Sequence, residues 1–238
     1  MVRNLVVEGK ADGMHVLFFR DAKRVTLENV RVVGSGSEAG VCFYKGSHFR
    51  LVGCRVEGFR YGYIFSTGID DIVVEKCESL KCPTGLYVMG QDEECKDVYI
   101  MDSRFIGPGG GQGEQGHDGI LLEKVKYGVV ERNTCIKNME HGIYLAGSTH
   151  CLVRDNRCLW NAWNGIQAVE PCYCAITDNE ASFNGDNGIY IHAGFHSTFA
   201  GNRCTWNNRW GILQVYEGKN LIVDNTCARN GAGDVWEG

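Results

Sequence analysis

The sequence predicts an all-β fold in which short parallel strands are stacked as the coils of a solenoid. The chain repeats every 23 residues over its C-terminal half, and each repeat opens with a glycine followed by a short apolar run such as Gly142-Ile-Tyr-Leu. There are 32 glycines but only 3 prolines, which indicates many tight turns. A unit of this length cannot bury its own apolar surface, so successive units must stack. The repeat glycines are Gly119, Gly142, Gly165, Gly188 and Gly211.

The N-terminal half is predicted to continue the same solenoid with less regular coils. Residues 2–7 have the composition of a strand. Gly13, Gly40, Gly62 and Gly85 then precede apolar runs at intervals of 27, 22 and 23 residues. Since parallel strands lie about 4.8 Å apart, nine or ten coils would form a rod of roughly 45 Å.

One interval in the middle of the chain is longer than the others. The segment Gly107 to His117 lengthens the repeat between Gly85 and Gly119 to 34 residues. Loops carried on a rigid scaffold often hold binding sites. We therefore expect residues 107–117 to form a long loop beside a functional face.

Three further columns share the period and describe the corners and the interior. Asparagine tolerates left-handed turn geometry and can hydrogen-bond to the same side chain one coil away, so its two columns predict corner ladders. A small apolar column, with cysteine in four of five repeats, predicts an inward stack of thiols, with a ladder of disulfides as the alternative. The C-x-C pair Cys172 and Cys174 has no partner motif that would indicate zinc. The columns are Asn133, Asn156, Asn179, Asn202 and Asn225; Asn138, Asn161, Asn184, Asn207 and Asn230; and Cys135, Cys158, Ala181, Cys204 and Cys227.

The run Gly-Ile-Tyr-Leu, followed by LVRDNRCLWN at residues 152–161, resembles right-handed parallel β-helix proteins of the pectate-lyase-like superfamily. The similarity is greatest to the repeats of carbohydrate-binding proteins and sugar hydrolases, and it extends over nearly the whole chain. It implies a single right-handed, single-stranded parallel β-helix domain over residues 1–238 that acts on polysaccharides. Mannuronan epimerases and alginate lyases have similar repeats. Their Tyr-Gly-Phe-Asp-Pro-His motif is not reproduced, because Ile64 and Ser66 stand where Asp and His are required.

The alternation of inward and outward side chains along the strand at each repeat glycine suggests where catalytic residues lie. If the residue after the glycine points inward, positions minus one, plus two and plus four face outward. This places Asp118, His141, Tyr144 and Glu123 on one face. A carboxylate, an imidazole and a phenol in proximity suit general acid and base catalysis, so we predict these four as catalytic residues.

Substrate-binding residues are predicted on the same face. Lys124 and Arg209 would neutralise a sugar carboxylate, and aromatic side chains would stack on the apolar faces of sugar rings. A solvated outer face with polar stacks is the alternative. The predicted binding residues are Lys124, Trp163, Asn164, Gln167, Asn187, Tyr190, His192, Arg209 and Trp210.

The composition is that of an ordinary folded chain, with 44% hydrophobic residues, 22% charged residues and a net charge of −5. It argues against nucleic acid and membrane as partners. No apolar segment of 18 residues or signal peptide is evident, and the compartment stays open. No cofactor is predicted; the acidic run at residues 92–94 with Asp97 would be a calcium site only as the weaker alternative to an exposed turn.

The sequence thus predicts a polysaccharide-binding β-helix, of the lyase or epimerase type, that acts on an acidic polysaccharide. The alternative is a non-catalytic module that binds glycans or serves a structural role, as in a phage tail, a cell-surface protein or a periplasmic copper-maturation protein. Because the last repeat has no evident cap, end-to-end association or membership of a longer chain is also expected.

Overall fold

The computed structural model describes residues 1–10, 13–90, 92–109, 117–216 and 218–238, and their regular structure is entirely β-strand. The strands are β1 (Val2–Arg3), β2 (Val6–Lys10), β3 (Leu17–Glu28), β4 (Arg31–Val52), β5 (Arg55–Ser66), β6 (Asp70–Glu75), β7 (Glu78–Leu80), β8 (Thr84–Met89), β9 (Cys95–Met101), β10 (Arg104–Ile106), β11 (Ile120–Glu123), β12 (Val125–Glu131) and β13 (Thr134–Ile136). They continue as β14 (Ile143–Ala146), β15 (Leu152–Arg154), β16 (Arg157–Leu159), β17 (Ile166–Val169), β18 (Ala175–Thr177), β19 (Glu180–Ser182), β20 (Ile189–His192), β21 (Thr198–Ala200), β22 (Arg203–Thr205), β23 (Trp210–Val215), β24 (Leu221–Val223), β25 (Thr226–Ala228) and β26 (Gly233–Glu237).

Each coil of the regular part contains three strands, and every strand pairs in parallel with its equivalent in the next coil, as β14 does with β17. The result is a right-handed parallel β-helix of about ten coils, which confirms the predicted fold class. The first face of the helix consists of β8, β11, β14, β17, β20, β23 and β26; the second of β6, β9, β12, β15, β18, β21 and β24; and the third of β7, β10, β13, β16, β19, β22 and β25.

The N-terminal coils follow the same path with longer strands. β3, β4 and β5 bend around corners without interruption, so that Val41–Tyr44 lies on the first face and Phe49–Val52 on the second. The core of these coils is aromatic, with the ring of Phe43 stacked between those of Phe19 and Phe65 at 4.8 and 5.1 Å. Larger side chains thus fill the less regular coils, and cysteine and aliphatic side chains fill the regular ones.

Four residues in a regular coil turn the backbone through the left-handed region. In the coil of β14 they are Gly147, His150, Asp155 and Trp160, with φ of 56, 54, 55 and 53°. The predicted corner asparagines are at the corners, but the left-handed residue is the one that precedes them. Asn156 and Asn161 instead contribute their side-chain amides to the interior.

Both asparagine ladders form as predicted. Asn156 Oδ1 accepts from the backbone N–H of Asn133 at 2.9 Å and from its Nδ2 at 3.1 Å, and Asn156 Nδ2 donates to Asn179 Oδ1 at 3.0 Å and to Val130 O at 2.9 Å. The second ladder runs in the same way, for example from Asn161 to Asn184. The buried amides within the ladders are therefore satisfied by neighbouring coils, whereas Asn138 Oδ1, at the first position of the second ladder, has no hydrogen-bond partner among the described residues.

The thiol column fills the interior as predicted. Cys135, Cys158 and Cys204 are fully buried, and Cys135 is the direct register partner of Cys158. All twelve cysteines lie in the described ranges and all are free thiols. Burial raises the pKa of Cys135 and Cys204 well above the usual range, so they pack as small hydrophobic groups rather than as reactive thiolates.

Candidate functional site

The first face presents one continuous outward column, formed by the third residue of each repeat. Tyr144 lies beside Gln167, and Gln167 beside Tyr190, as register partners on adjacent strands. All three are partly exposed, while Ile143 and Leu145 on the same strand are buried. The alternation predicted for the positions after the glycine is confirmed.

A groove of about 400 Å³ opens on this face near its C-terminal coils. It combines an exposed indole, a phenol, three amide side chains and a guanidinium, so it offers both a flat apolar surface and several hydrogen-bonding groups. Six of its members are predicted binding residues. The lining residues are Trp163, Asn164, Gln167, Asp186, Asn187, Tyr190, Arg209, Leu213 and Val215.

The position before the repeat glycine does not face outward as predicted. Asp118 and His141 are 0% and 1% exposed, and Asn164 and Asn187 are 3% and 1% exposed. Each of these side chains folds back and accepts the backbone N–H of the next coil. The bonds run from His141 N to Asp118 Oδ1 at 3.0 Å, from Asn164 N to His141 Nδ1 at 3.2 Å and from Asn187 N to Asn164 Oδ1 at 3.0 Å.

This column is therefore a third hydrogen-bond ladder. Its backbone N–H donors lie in the later coil of each pair, whereas those of the corner ladders lie in the earlier coil. Burial raises the pKa of Asp118 well above its usual range, although the hydrogen bond from His141 opposes that shift. Burial lowers the pKa of His141 to about 3. His141 is therefore neutral at physiological pH, burial disfavours the charged form of Asp118, and neither side chain lines the groove. The catalytic role of Asp118 and His141 stays a prediction, and their burial does not favour it.

The other predicted catalytic residues remain at the surface of the first face. Glu123 accepts a hydrogen bond from the hydroxyl of Tyr87, which the sequence analysis did not single out. The pKa of Tyr87 is raised beyond the usual range, first by burial and then by this carboxylate. Tyr144 lies against the buried imidazole, with 5.4 Å between its ring and that of His141, and it is the register partner of Gln167. Lys124 directly follows the last residue of β11 and is exposed.

A paired carboxylate holds the cation of the groove in place. Arg209 Nε lies 3.5 Å from Asp186 Oδ1, and the Arg209 side chain is 61% exposed. Asn164 Nδ2 donates to Gln167 Oε1 at 2.9 Å, which fixes that amide in turn. Asp186 was missed by sequence reasoning. The signal that could have found it is the column two residues before each repeat glycine, where Trp163, Asp186 and Arg209 recur every 23 residues.

Two predicted binding residues lie beside the groove rather than in its lining. His192 packs edge-on against Tyr216 with ring centroids 4.9 Å apart, and Trp210 packs against Trp236 at 6.5 Å. Trp210 also donates its backbone N–H to Asn187 Oδ1 at 3.0 Å. They extend the polar and aromatic surface toward the last coils.

Among the described residues, neither the ends of the predicted long loop nor the acidic run lines the groove. Most of the predicted loop, residues 110–116, lies outside the described residues. Its last residue, His117, is buried and its backbone N–H donates to Glu140 Oε2 at 3.2 Å. Asp92, Glu93 and Glu94 are exposed. Within the described ranges, no helix has the length and apolar character that a membrane span requires.

Two family models match the chain, and together they extend over almost all of it. The model described as "Right handed beta helix region" matches residues 1–157, and the model described as "Periplasmic copper-binding protein (NosD)" matches residues 110–237. The chain thus belongs to the right-handed β-helix proteins. Within that class it belongs to the family of the NosD model, which matches just over half of its residues. By sequence the chain matches none of the curated proteins.

Solved structures with the same fold include two epimerases and a tailspike protein. The periplasmic alginate epimerase AlgG superposes with a TM-score of 0.74 at 12% identity, covering 97% of this chain and 73% of that chain. The A-module of the Azotobacter vinelandii mannuronan C-5 epimerase AlgE4 gives 0.65 at 11% identity, covering 99% and 76%. The Dettilon tailspike protein gives 0.61 at 12% identity, covering 97% and 61%. At these identities the similarity establishes the fold alone.

Proposed function

We propose that this protein binds an acidic polysaccharide along its first face. The observation that carries the proposal is the groove, in which Trp163, Gln167, Tyr190 and Arg209 from three successive coils surround one volume of about 400 Å³. An indole and a phenol match the apolar face of a sugar ring, while the amide and the guanidinium match its hydroxyl and carboxylate groups. The polysaccharide-acting relatives in fold support this choice of ligand.

The charge of the groove favours a carboxylate as the ligand group. Arg209 Nε lies 3.5 Å from Asp186 Oδ1 and the Arg209 side chain is 61% exposed, so a sugar carboxylate can approach the guanidinium from solvent. The pair is largely exposed, so its own contribution to stability is small. Its more important effect is to orient the guanidinium over the groove.

Binding is tested with alginate, pectate and a glycosaminoglycan, each compared with a neutral glucan by calorimetry. Trp163→Ala should weaken binding by about tenfold because a stacking surface is lost. Arg209→Ala should weaken binding of the acidic polymers and reduce its dependence on salt. Trp160→Ala is the matched control, because this tryptophan is 52% exposed but does not line the groove. Equal losses in Trp160→Ala and Trp163→Ala would contradict the proposal, as would absence of binding by the native protein.

A catalytic function of the lyase or epimerase type is the second candidate, and the pairing of Tyr87 with Glu123 favours it. A carboxylate hydrogen-bonded to a phenol, with Tyr144 on the same column, provides groups that can take up and return a proton beside a bound sugar. Glu123→Gln should then lower turnover by about 10²-fold while binding persists. A lyase generates an unsaturated sugar that absorbs in the ultraviolet, and an epimerase changes stereochemistry without cutting the chain. If polymers bind and neither product forms, the protein is a non-catalytic binding module.

Copper does not fit the donor groups of this chain. Across the described ranges no three His, Cys, Asp or Glu side chains converge as ligands for one metal ion. The thiols, which would be the soft ligands for copper, are mostly buried in apolar surroundings. We therefore propose no copper-dependent step, although the matching family model is described as copper-binding.

A further inference from the structure

A second cavity, of about 300 Å³, opens on the first face near its N-terminal coils. Its floor includes Cys42 and Ile64, and aromatic rings of Phe18, Tyr44 and Tyr61 line it. None of these residues belongs to the groove described above. We call this cavity the N-terminal pocket.

The N-terminal pocket and the groove lie on the same outward column. Register pairing links Cys42 to Ile64, then Tyr87, Leu121, Tyr144, Gln167 and Tyr190, each residue being the direct partner of the next. Seven coils are thereby included. Six coil spacings separate Cys42 from Tyr190, which is about 29 Å along the rod axis.

The chemistry of the N-terminal pocket matches that of the groove. Arg20 lies over the ring of Tyr44 at 5.2 Å, and Arg60 lies over the ring of Tyr61 at 5.4 Å. Each site therefore has aromatic surface and a nearby guanidinium. The lining of the N-terminal pocket also includes the carboxylate of Glu38, so an anionic substituent would lie on the side of Arg20 and Arg60 rather than beside Glu38. The floor of the N-terminal pocket is apolar, because it is formed by the side chains of Cys42 and Ile64, which are 3% and 6% exposed. The shared pattern suits a sugar ring with an anionic substituent.

We propose that the N-terminal pocket is a second contact for the same polymer, so that one acidic polysaccharide chain lies along the first face from Cys42 to Tyr190. This inference rests on the proposed function of the groove. Once a polymer is bound in the groove, its binding to the N-terminal pocket is intramolecular. The effective concentration of the polymer at that pocket is then set by the length of chain between the two contacts. Oligomers too short to reach both pockets lack this advantage.

The experiment measures the affinity of purified oligosaccharides of increasing length from the acidic polymer that binds best. A sugar unit of an extended chain advances by about one coil spacing, so affinity should rise by about 10²-fold as the length approaches seven units and then level off. Tyr44→Ala and Arg20→Ala should weaken binding of the long oligomers and leave that of trimers unchanged. Trp163→Ala should weaken binding of both.

Tyr127→Ala is the matched control. Tyr127 also carries a cation over its ring, Lys126 at 5.0 Å, but it lies on the corner that follows the first face. Its replacement should leave binding at every length unchanged. Trimers that bind with no gain at greater length would overturn the second contact and leave the groove intact. Absence of binding at any length would overturn the proposed function as well, and a small ligand bound in the N-terminal pocket independently of the polymer would assign that pocket a separate role.

Discussion

The interior has no room for a side chain at the glycine that opens each first-face strand. A Cβ on Gly165 would lie 2.7 Å from Asn184 Nδ2 and from Gly188 O, and 2.8 Å from Ala181 Cβ. Its φ is not in the left-handed region, so the requirement is one of space rather than of backbone angle. The repeat glycine and the asparagine of the second ladder therefore depend on each other, because the amide occupies the volume that a side chain would need.

Gly165→Ala should lower the free energy of unfolding by about 1 to 3 kcal/mol, since neighbouring backbone must shift to admit the methyl group. The measurement is the midpoint of urea unfolding. Gly9→Ala is the control: a Cβ there would meet only the methyl groups of Val16 at 3.6 Å, and the change should cost much less. Similar losses for the two variants would refute the spatial explanation.

The buried imidazole of His141 makes stability sensitive to acid. Its folded pKa is about 3, whereas an unfolded histidine titrates near pH 6.5. The unfolded chain therefore binds the proton first, so the stability contributed by His141 is complete above about pH 6.5 and is lost as pH falls toward 3, with a slope of up to about 1.4 kcal/mol per pH unit.

His141→Asn should remove this acid-sensitive component. The asparagine oxygen can accept the N–H of Asn164, as Asn164 itself does for the next coil. Unfolding free energies measured between pH 3 and 7 should fall less steeply in this variant. His150→Asn replaces an exposed imidazole and should preserve the native slope. A slope unchanged in His141→Asn would show that the acid sensitivity arises elsewhere.

At the scale of the element, the corner ladders carry the largest concentration of buried hydrogen bonds. Asn179 accepts from the backbone and the side chain of Asn156, and donates to Val153 O and Asn202 Oδ1. Asn225 makes the same contacts on one side only and is partly exposed.

Asn179→Leu should therefore cost about 3 kcal/mol or more, because it strands buried donors and acceptors in mid-ladder. Asn225→Leu should cost about 1 kcal/mol, since water can reach the groups that it leaves. Chemical denaturation of both variants checks the difference. Asn179→Asp, which retains the acceptor and loses the donor, should fall between the native protein and the leucine variant. Equal costs at positions 179 and 225 would argue against a continuous ladder.

The 23-residue period predicted these elements well because every regular coil has the same residue types at the same structural positions. The asparagine ladders, the inward thiols and the apolar residues after each glycine are each fixed by their distance from Gly142 or its equivalents. The column before the glycine was assigned to the wrong side. Period-two alternation places the residue two positions before an inward-facing residue on the same inward side, so Asp118 belongs in the interior with the buried Ile120.

At the scale of the whole molecule, the groove was predicted in composition but not in extent. Six of its nine lining residues belong to the predicted set of binding residues. Asp186 and the pairing of Tyr87 with Glu123 do not, because they join positions in different coils across a turn and across the 34-residue interval. A single repeat does not encode such contacts, so they must be read from the assembled solenoid.

Because all the cysteines are free thiols, no disulfide cross-links one coil to another. A reducing agent should therefore leave the melting temperature unchanged, whereas Cys158→Ala should lower stability by about 1 kcal/mol through a small cavity. Cys227→Ala, at a partly exposed site of the same column, should cost less. A fall in melting temperature on reduction would show that disulfides form between the stacked cysteines.

The constant period has a mechanical consequence. When the chain is pulled from its C-terminal end, force peels one coil at a time from the stack, since each coil contacts mainly its immediate neighbours. Each released coil of 23 residues adds roughly 80 Å of extended chain. A force–extension trace would then show evenly spaced steps over the C-terminal coils, followed by one step of roughly 115 Å where the 34-residue interval between Gly85 and Gly119 unwinds. The 27-residue interval between Gly13 and Gly40 would give a smaller deviation, of roughly 90 Å, so the longest step would mark the 34-residue interval within the rod.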